Sequence, residues 1–162
     1  TQPNTLFPYT TLFRSETLLV GGTPPEQAPG RRVADPEGPA CALRGLVGAL
    51  EAAQGERVLV IATDLPLLPL DLLLALLAWP ERDVVVPKDE RGDHPLCAIY
   101  RPEACLARAR AHLEGGRLAI SALLDAVDTE RVSLATLGLE DLAARALANV
   151  NTPDDLARLE VA

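Results

Sequence analysis

Asp64 is the residue in this sequence best placed to do chemistry. It follows the aliphatic run 57–62 directly, and Pro66 fixes the turn beyond it. Ligands of open α/β sheets bind beyond the carboxyl ends of the strands, and Mg²⁺ is usually held by one or two carboxylates together with phosphate oxygens. Asp64 is therefore predicted to be a catalytic residue and a metal ligand beside nucleotide phosphates. The alternative is an ordinary turn residue, or a cap of the helix that begins at Leu70.

Two further segments could contact a nucleotide. Asp35 ends the short strand 32–34 and could accept hydrogen bonds from a base or a ribose, although an Asp-Pro turn is the simpler interpretation. The stretch Gly38 to Gly45 begins a helix, whose amides and dipole could receive an anion. Against such a phosphate site, Pro39 has no N–H and the GxxxxGK[ST] pattern is absent.

Polar residues late in the chain are candidates for substrate binding. His94 lies in an Asp-His-Pro turn, where it could contact substrate or relay a proton, or could simply be a surface residue. Asn149 and Asn151 point the same way if the segment is extended, which would pair their amides for a polar heterocycle. Asn151 or Thr152 could instead be the N-cap of the last helix. Neither histidine of the chain has a partner at metal-ligand spacing.

Composition excludes several classes of protein. The 162 residues include 15 Lys plus Arg and 23 Asp plus Glu, and the net charge of −8 argues against a nucleic-acid binder. No membrane span is expected, because prolines and Asp71 interrupt the most apolar stretch, 65–80. The cysteines are odd in number and lack CxxC spacing, so neither a disulfide framework nor a zinc site is expected. They indicate a reducing, cytoplasmic location.

The first 15 residues differ from the rest in composition. They hold three of the five aromatic residues, whereas the remainder is rich in Ala, Leu and Arg and has a single lysine. The string TLFPYTTLFRS, residues 5–15, also resembles one reading frame of a sequencing adapter. Residues 1–15 are therefore interpreted as a non-native leader, which is left out of the fold. The alternative is a native β-strand formed by TTLFRS.

The elements from Glu16 onward alternate between strands and helices. Short apolar or β-branched runs predict strands, and apolar residues at helical spacing predict helices. The predicted strands cover 17–20, 32–34, 57–62, 83–87, 96–100 and 131–134, and the predicted helices cover 39–53, 70–79, 101–113, 118–126, 139–148 and 153–159. Alternation of this kind indicates βαβ units and a mainly parallel sheet. Residues 16–162 are expected to form a single α/β domain.

The order of these motifs resembles that of molybdenum cofactor guanylyltransferases, the MobA-like nucleotidyltransferase family. The resemblance is carried by Val33-Ala34-Asp35, by Leu43-Arg44-Gly45-Leu46, by the strand that ends in Asp64-Leu65-Pro66, by His94-Pro95-Leu96 and by Asn149-Val150-Asn151-Thr152-Pro153-Asp154-Asp155-Leu156. It covers nearly all of the chain from Glu16. The strand-Asp-x-Pro element is common to many nucleotidyltransferases, and its combination with the terminal motif is more specific.

The resemblance implies a three-layer, Rossmann-like enzyme. The family transfers GMP from GTP to molybdopterin cofactor, with Mg²⁺, and releases pyrophosphate. Asp64 would be the magnesium and phosphate ligand, and Asp35 would contact the guanine nucleotide. The substrate-binding residues would be Asn149, Asn151, Gly45, Leu46 and His94. Partners would be the two substrates and cofactor-biosynthesis or acceptor proteins, with no nucleic acid and no membrane.

Three departures from the family pattern modify these expectations. The Gly-rich first loop of the family, which holds the triphosphate, has no match here, so its first strand and loop are expected to be missing and the chain inactive as written. Thr23 stands where the family often has an Asn for the base. The family usually has Gly-Pro-Leu-Ala-Gly-Leu at the start of the next helix, and this chain has Cys41-Ala42-Leu43-Arg44-Gly45-Leu46 there instead. A cytidylyltransferase or another small-molecule nucleotidyltransferase is therefore an alternative, as is a non-catalytic adaptor with the same fold.

Overall fold

The computed structural model describes residues 16–139 except residue 66. The helices predicted over 139–148 and 153–159, together with Asn149 and Asn151, therefore lie outside the described residues, apart from Leu139 itself. The interpretation of residues 1–15 also falls outside them. Within the described residues the chain forms, in order, β1 (Leu18–Val20), β2 (Arg31–Val33), α1 (Ala42–Ala52), β3 (Val58–Ile61), α2 (Leu70–Ala78), β4 (Val84–Asp89), β5 (Gly92–Asp93), β6 (Cys97–Tyr100), α3 (Pro102–Glu114), α4 (Ile120–Leu124) and β7 (Thr129–Ser133).

A five-stranded sheet forms the centre of the molecule. Its order is β3-β6-β4-β5, and β7 pairs with β4. Strand β6 runs antiparallel to both β3 and β4, while β7 is parallel to β4, so β3, β4 and β7 share one direction. Strand β6 is reversed because residues 90–96 are too few for the crossover that a parallel neighbour needs. The five-stranded sheet is therefore mixed rather than mainly parallel, since three of its four strand pairings are antiparallel.

Alternation along the strands produces the expected three layers. Val84 and Val86 face one side of the sheet, where they pack with α1, α3 and α4, while Val85 faces the other side with α2. Strand β6 alternates in the same way. Ala98 and Tyr100 pack on the side of α1, α3 and α4, and Cys97 and Ile99 pack on the side of α2. Period-two alternation with both faces apolar is what a sheet covered on both sides requires.

A separate two-stranded sheet lies beside α1. Strands β1 and β2 are parallel, with Val20 opposite Val33. Helix α1 contacts both of them and also β3. Gly48 permits this close packing, because a Cβ there would lie 3.1 Å from Pro36 Cδ and 3.2 Å from Val20 Cγ1. Among the described residues, β1 pairs only with β2 and β3 only with β6, so each has one unpaired edge.

The predicted elements within the described residues are confirmed, with small differences at their ends. Helix α1 begins at Ala42 rather than at position 39, because Gly38 has a φ of +140° and Cys41 is extended. The hairpin strand β5 was not expected. It forms because Gly92, with a φ of +125°, turns the chain so that Lys88 pairs with Asp93.

Candidate active site

Asp64 lies at the carboxyl edge of the five-stranded sheet, as the sequence predicts. It follows β3 in a turn and is partly exposed. Its carboxylate makes no ion pair or hydrogen bond with any other residue that the structure describes. The N–H of Ala62 donates to the carbonyl of Leu96 over 2.8 Å. That bond places the His94-Pro95-Leu96 turn next to the Asp64 loop, so two of the predicted segments are neighbours.

His94 pairs with a carboxylate of its own hairpin. Its Nε2 lies 3.0 Å from Asp89 Oδ1, in a charge contact that lacks the angle of a well-formed hydrogen bond. Asp89 Oδ1 also accepts the backbone N–H of Arg91 over 2.8 Å. Burial alone would raise the pKa of Asp89, but the contacts with His94 and Arg91 outweigh it and the pKa is lowered. His94 is thus engaged within the hairpin, and a role in substrate binding stays a prediction.

Asp35 lies at the carboxyl end of β2, beside the N-terminal turn of α1. Its Oδ2 accepts a hydrogen bond from Arg44 Nη2 over 3.1 Å, and the two side chains are 29% and 25% exposed. The carboxylate lies so close to Gly21 that a Cβ there would be 2.7 Å from Oδ1. A Cβ at Gly45 would be 3.9 Å from the same oxygen. The structure therefore brings Asp35 and Gly45 together, and the predicted roles of both in binding stay predictions.

Two other predicted contacts have different outcomes. Thr23 is exposed in the loop after β1, and its role in nucleotide binding stays a prediction. Leu46 is only 1% exposed and belongs to the core cluster with Leu43 and Leu50. Helical spacing directs the side chain of position 46 into the core together with 43, 47 and 50, so a contact of Leu46 with substrate stays a prediction that its side chain does not support.

Comparison with known proteins shows the family of the chain. A sequence profile described as the MobA-like NTP transferase domain matches residues 10–131, which is more than half of the chain. The chain belongs to this family. Members of the MobA-like family generally use a divalent metal ion, and the unpaired carboxylate of Asp64 after β3 is chemically suited to one.

Curated relatives of the family resemble the chain over most of its described length. A Chloroflexus aggregans protein named "Probable molybdenum cofactor guanylyltransferase" is 36% identical over 79% of this chain and 63% of its own length. The molybdenum cofactor guanylyltransferase of Desulfosudis oleivorans is 31% identical over 74% of this chain and 60% of its own. The chain thus spans about three-fifths of the length of these two relatives.

Solved structures support the MobA-like fold. A crystal structure of an Aquifex aeolicus protein has a TM-score of 0.66 and 28% identity, covering 76% of this chain and 63% of that one. Molybdopterin-guanine dinucleotide biosynthesis protein A of Archaeoglobus fulgidus has a TM-score of 0.67 and 24% identity, covering 81% and 67%. The latter likeness concerns the fold alone.

The two buried cysteines of this MobA-like domain are poorly suited to nucleophilic catalysis. Burial raises the pKa of the Cys97 thiol to about 12 and that of the Cys105 thiol to about 11, so neither is a thiolate nucleophile at neutral pH. The described residues contain no group of three or more His, Cys, Asp or Glu side chains that could hold a metal ion. None of the described helices combines the length and the apolar character that crossing a bilayer requires.

Two residues of the site were not found by sequence reasoning. Arg44 is named above only as part of the segment that is compared with the family pattern, and Gly21 directly follows the predicted strand 17–20 without a predicted role. Helical spacing gives no signal that position 44 reaches back to Asp35, because the loop between them sets that distance. The sequence did carry a signal for Gly21, since two consecutive glycines after a strand often mark positive φ angles, here +67° and +59°.

Proposed function

We propose that this chain is the greater part of a molybdenum cofactor guanylyltransferase, an enzyme that transfers GMP from GTP to molybdopterin cofactor and releases pyrophosphate. The curated relatives carry that name. The observation that carries the proposal is Asp64: a carboxylate just after β3, partly exposed and without a partner among the described residues. The reaction takes place in the cytoplasm, in keeping with the unpaired cysteines.

The proposal gives each part of the site a role. Asp64 would hold Mg²⁺, which supplies positive charge to the phosphates of GTP and neutralises the charge that develops on them. Asp35 accepts hydrogen bonds from the guanine base, and Gly45 leaves space beside it. Asn149 and Asn151 contribute the pterin side. Transfer of a nucleotidyl group depends mainly on positioning and electrostatics, so no protein nucleophile is required.

Asp64 binds nothing else among the described residues, and this suits a ligand that must exchange. Magnesium retains several waters and takes few protein carboxylates when phosphates supply the remaining oxygens. One carboxylate from a rigid strand is therefore sufficient. A carboxylate already paired with an arginine would have to give up that partner first, as Asp35 would.

The experiment is to titrate GTP into wild type, Asp64→Asn and Asp71→Asn by calorimetry, with and without Mg²⁺. Asp71 is the matched control, since it is an exposed aspartate only seven positions away, at the start of α2. In wild type and Asp71→Asn, Mg²⁺ should strengthen GTP binding, and in Asp64→Asn this gain should fall by about tenfold or more. An undiminished gain in Asp64→Asn would remove the assignment.

A competition experiment separates the alternatives. If GTP competes better than CTP, the guanylyltransferase is favoured. A preference for CTP would indicate the cytidylyltransferase. No binding of either nucleotide is the outcome expected both of an adaptor that shares only the fold and of an enzyme without its triphosphate loop.

A further inference from the structure

Arg44 joins two points of the loop that leads from β2 to α1. Its Nη1 donates to the carbonyl oxygen of Gly38 over 3.0 Å, and its Nη2 donates to Asp35 Oδ2 over 3.1 Å. The side chain is three-quarters buried. One planar guanidinium thus links the carboxylate at the end of β2 to the backbone just before α1. A fork of fixed geometry can do this, whereas a single ammonium group cannot make both bonds with the same alignment.

The other side of the Asp35 carboxylate is bounded by glycines. A Cβ at Gly21 would come within 2.9 Å of Oδ1, Oδ2 and Cγ, and a Cβ at Gly45 would contact Oδ1 at 3.9 Å. Arg44 therefore fixes Oδ2 from one side, and on the other side the missing Cβ of Gly21 lets the carboxylate lie close to the backbone. Oδ1 makes no hydrogen bond with the described residues.

We propose that Arg44 is a positioning residue, which orients the Asp35 carboxylate so that a base with two adjacent N–H donors can bind to it. This inference rests on the proposed function, because guanine presents such a pair on one edge. An ionised carboxylate is an acceptor with several lone-pair sites, so the bond to Arg44 leaves sites for both donors. Adenine has no such pair on that edge and gains less from a fixed carboxylate.

Calorimetry with Mg²⁺ and either GTP or ATP tests the role of Arg44. Arg44→Ala should weaken GTP binding by about tenfold, which corresponds to about 1.4 kcal/mol, and leave ATP binding within about twofold. Arg44→Lys keeps the charge and should rescue GTP binding only in part. Arg110→Ala is the matched control, since Arg110 forms a 2.6 Å ion pair with Glu51 elsewhere on α1. This variant should keep the wild-type preference for GTP.

Amide hydrogen exchange without nucleotide provides a second measurement. The amide at position 44 donates to the carbonyl oxygen of Cys41 over 3.2 Å, and its exchange should accelerate at least tenfold in Arg44→Ala and stay unchanged in Arg110→Ala. If exchange of this amide is unaffected, or if Arg44→Ala keeps its full preference for GTP over ATP, the role of Arg44 is overturned while the proposed function stands. If wild type shows no preference for GTP over ATP, the proposed binding of guanine is wrong, and so is the proposed role of Arg44 in nucleotide specificity. The exchange result then decides only whether Arg44 holds the loop.

Discussion

The two sheets support the candidate site in different ways. Strand β6 and the first four residues of β4, in the five-stranded sheet, are buried along their length between two apolar clusters. Strand β2 of the smaller sheet has no buried residue, and β1 has one, Leu19. Asp64 follows β3, whose four residues are half-buried and which is an edge strand of the larger sheet among the described residues, and Asp35 follows a strand of the smaller one. The carboxylate of Asp64 thus lies at the edge of the larger sheet, and that of Asp35 is held by local contacts with α1.

Those local contacts explain how Asp35 can be ordered on so small a sheet. Two parallel strands alone do not form an independent core. Helix α1 provides the support through the close approach at Gly48, and Arg44 on the same helix holds the carboxylate. The smaller sheet therefore depends on α1 for both its packing and its site. A change in α1 should disturb Asp35 more than Asp64.

The largest expected effect compares leucines in the two regions. Leu73 of α2 is fully buried against the five-stranded sheet, whereas Leu19 of β1 is 9% exposed and belongs to neither large cluster. Leu73→Ala should lower the free energy of unfolding by about 2–5 kcal/mol because it opens a cavity in the core. Leu19→Ala should lower the free energy of unfolding by less, since the structure around position 19 can relax into the space that the smaller side chain leaves. Denaturant titration measures both, and equal costs would contradict the comparison.

Most of the fold could be predicted from patterns within single elements. The aliphatic run of β3 and the helical spacing of α1 were sufficient, because each needs only a few neighbouring residues. The reversal of β6 could also be deduced from its short connection to β4. The division of the strands into two sheets could not be predicted from the sequence, because strand pairing depends on contacts between distant segments. Helical spacing predicts that Leu46 is buried, whereas the resemblance to the family implies that Leu46 contacts the substrate.

The site could be predicted only in part, for the same reason. Asp64 and Asp35 were found because a carboxylate after a strand is a local signal. The bond between Arg44 and Asp35 depends on where the loop places α1 relative to β2. The contact between His94 and Asp89 depends on a hairpin that a single glycine sets up. In both cases the partners are near in sequence, but the turn geometry between them is not encoded by periodicity.

Hydrogen exchange should distinguish the two sheets at the backbone. Amides of β4 and β6 are expected to exchange only on global unfolding, because both faces of these strands are buried. Amides of β1 should exchange at least tenfold faster, and those of β3 should be intermediate, since β3 has one unpaired edge among the described residues. Limited proteolysis should likewise cut near 17–22 before 58–61. Uniform protection would show that the smaller sheet has a partner outside the described residues.

A pair of glycine substitutions isolates the contact that holds Asp35. Gly21 and Gly22 both have positive φ, but only Gly21 would place a Cβ against the carboxylate, while Gly22 has nothing within 4 Å. Both substitutions to Ala should cost about 1 kcal/mol through backbone strain. Gly21→Ala should cost about 1 kcal/mol more, because Asp35 must move, and it should also weaken GTP binding. Denaturation and calorimetry measure these effects, and equal losses in the two variants would show that the contact is unimportant.

The smallest expected effect is the pH dependence that His112, on the α3 side of the five-stranded sheet, gives to the free energy of unfolding. This histidine of α3 is 6% exposed, and its Nδ1 has no hydrogen-bond partner among the described residues. Burial, together with Arg117 and Arg108, lowers its pKa below the ordinary value of 6.5. The unfolded chain therefore binds a proton more readily, so stability is full above about pH 6.5 and declines as pH falls below it. His112→Phe should remove this part of the decline in denaturation measured between pH 7 and 5. His94→Gln should keep it, and an unchanged slope in His112→Phe would show that another group titrates.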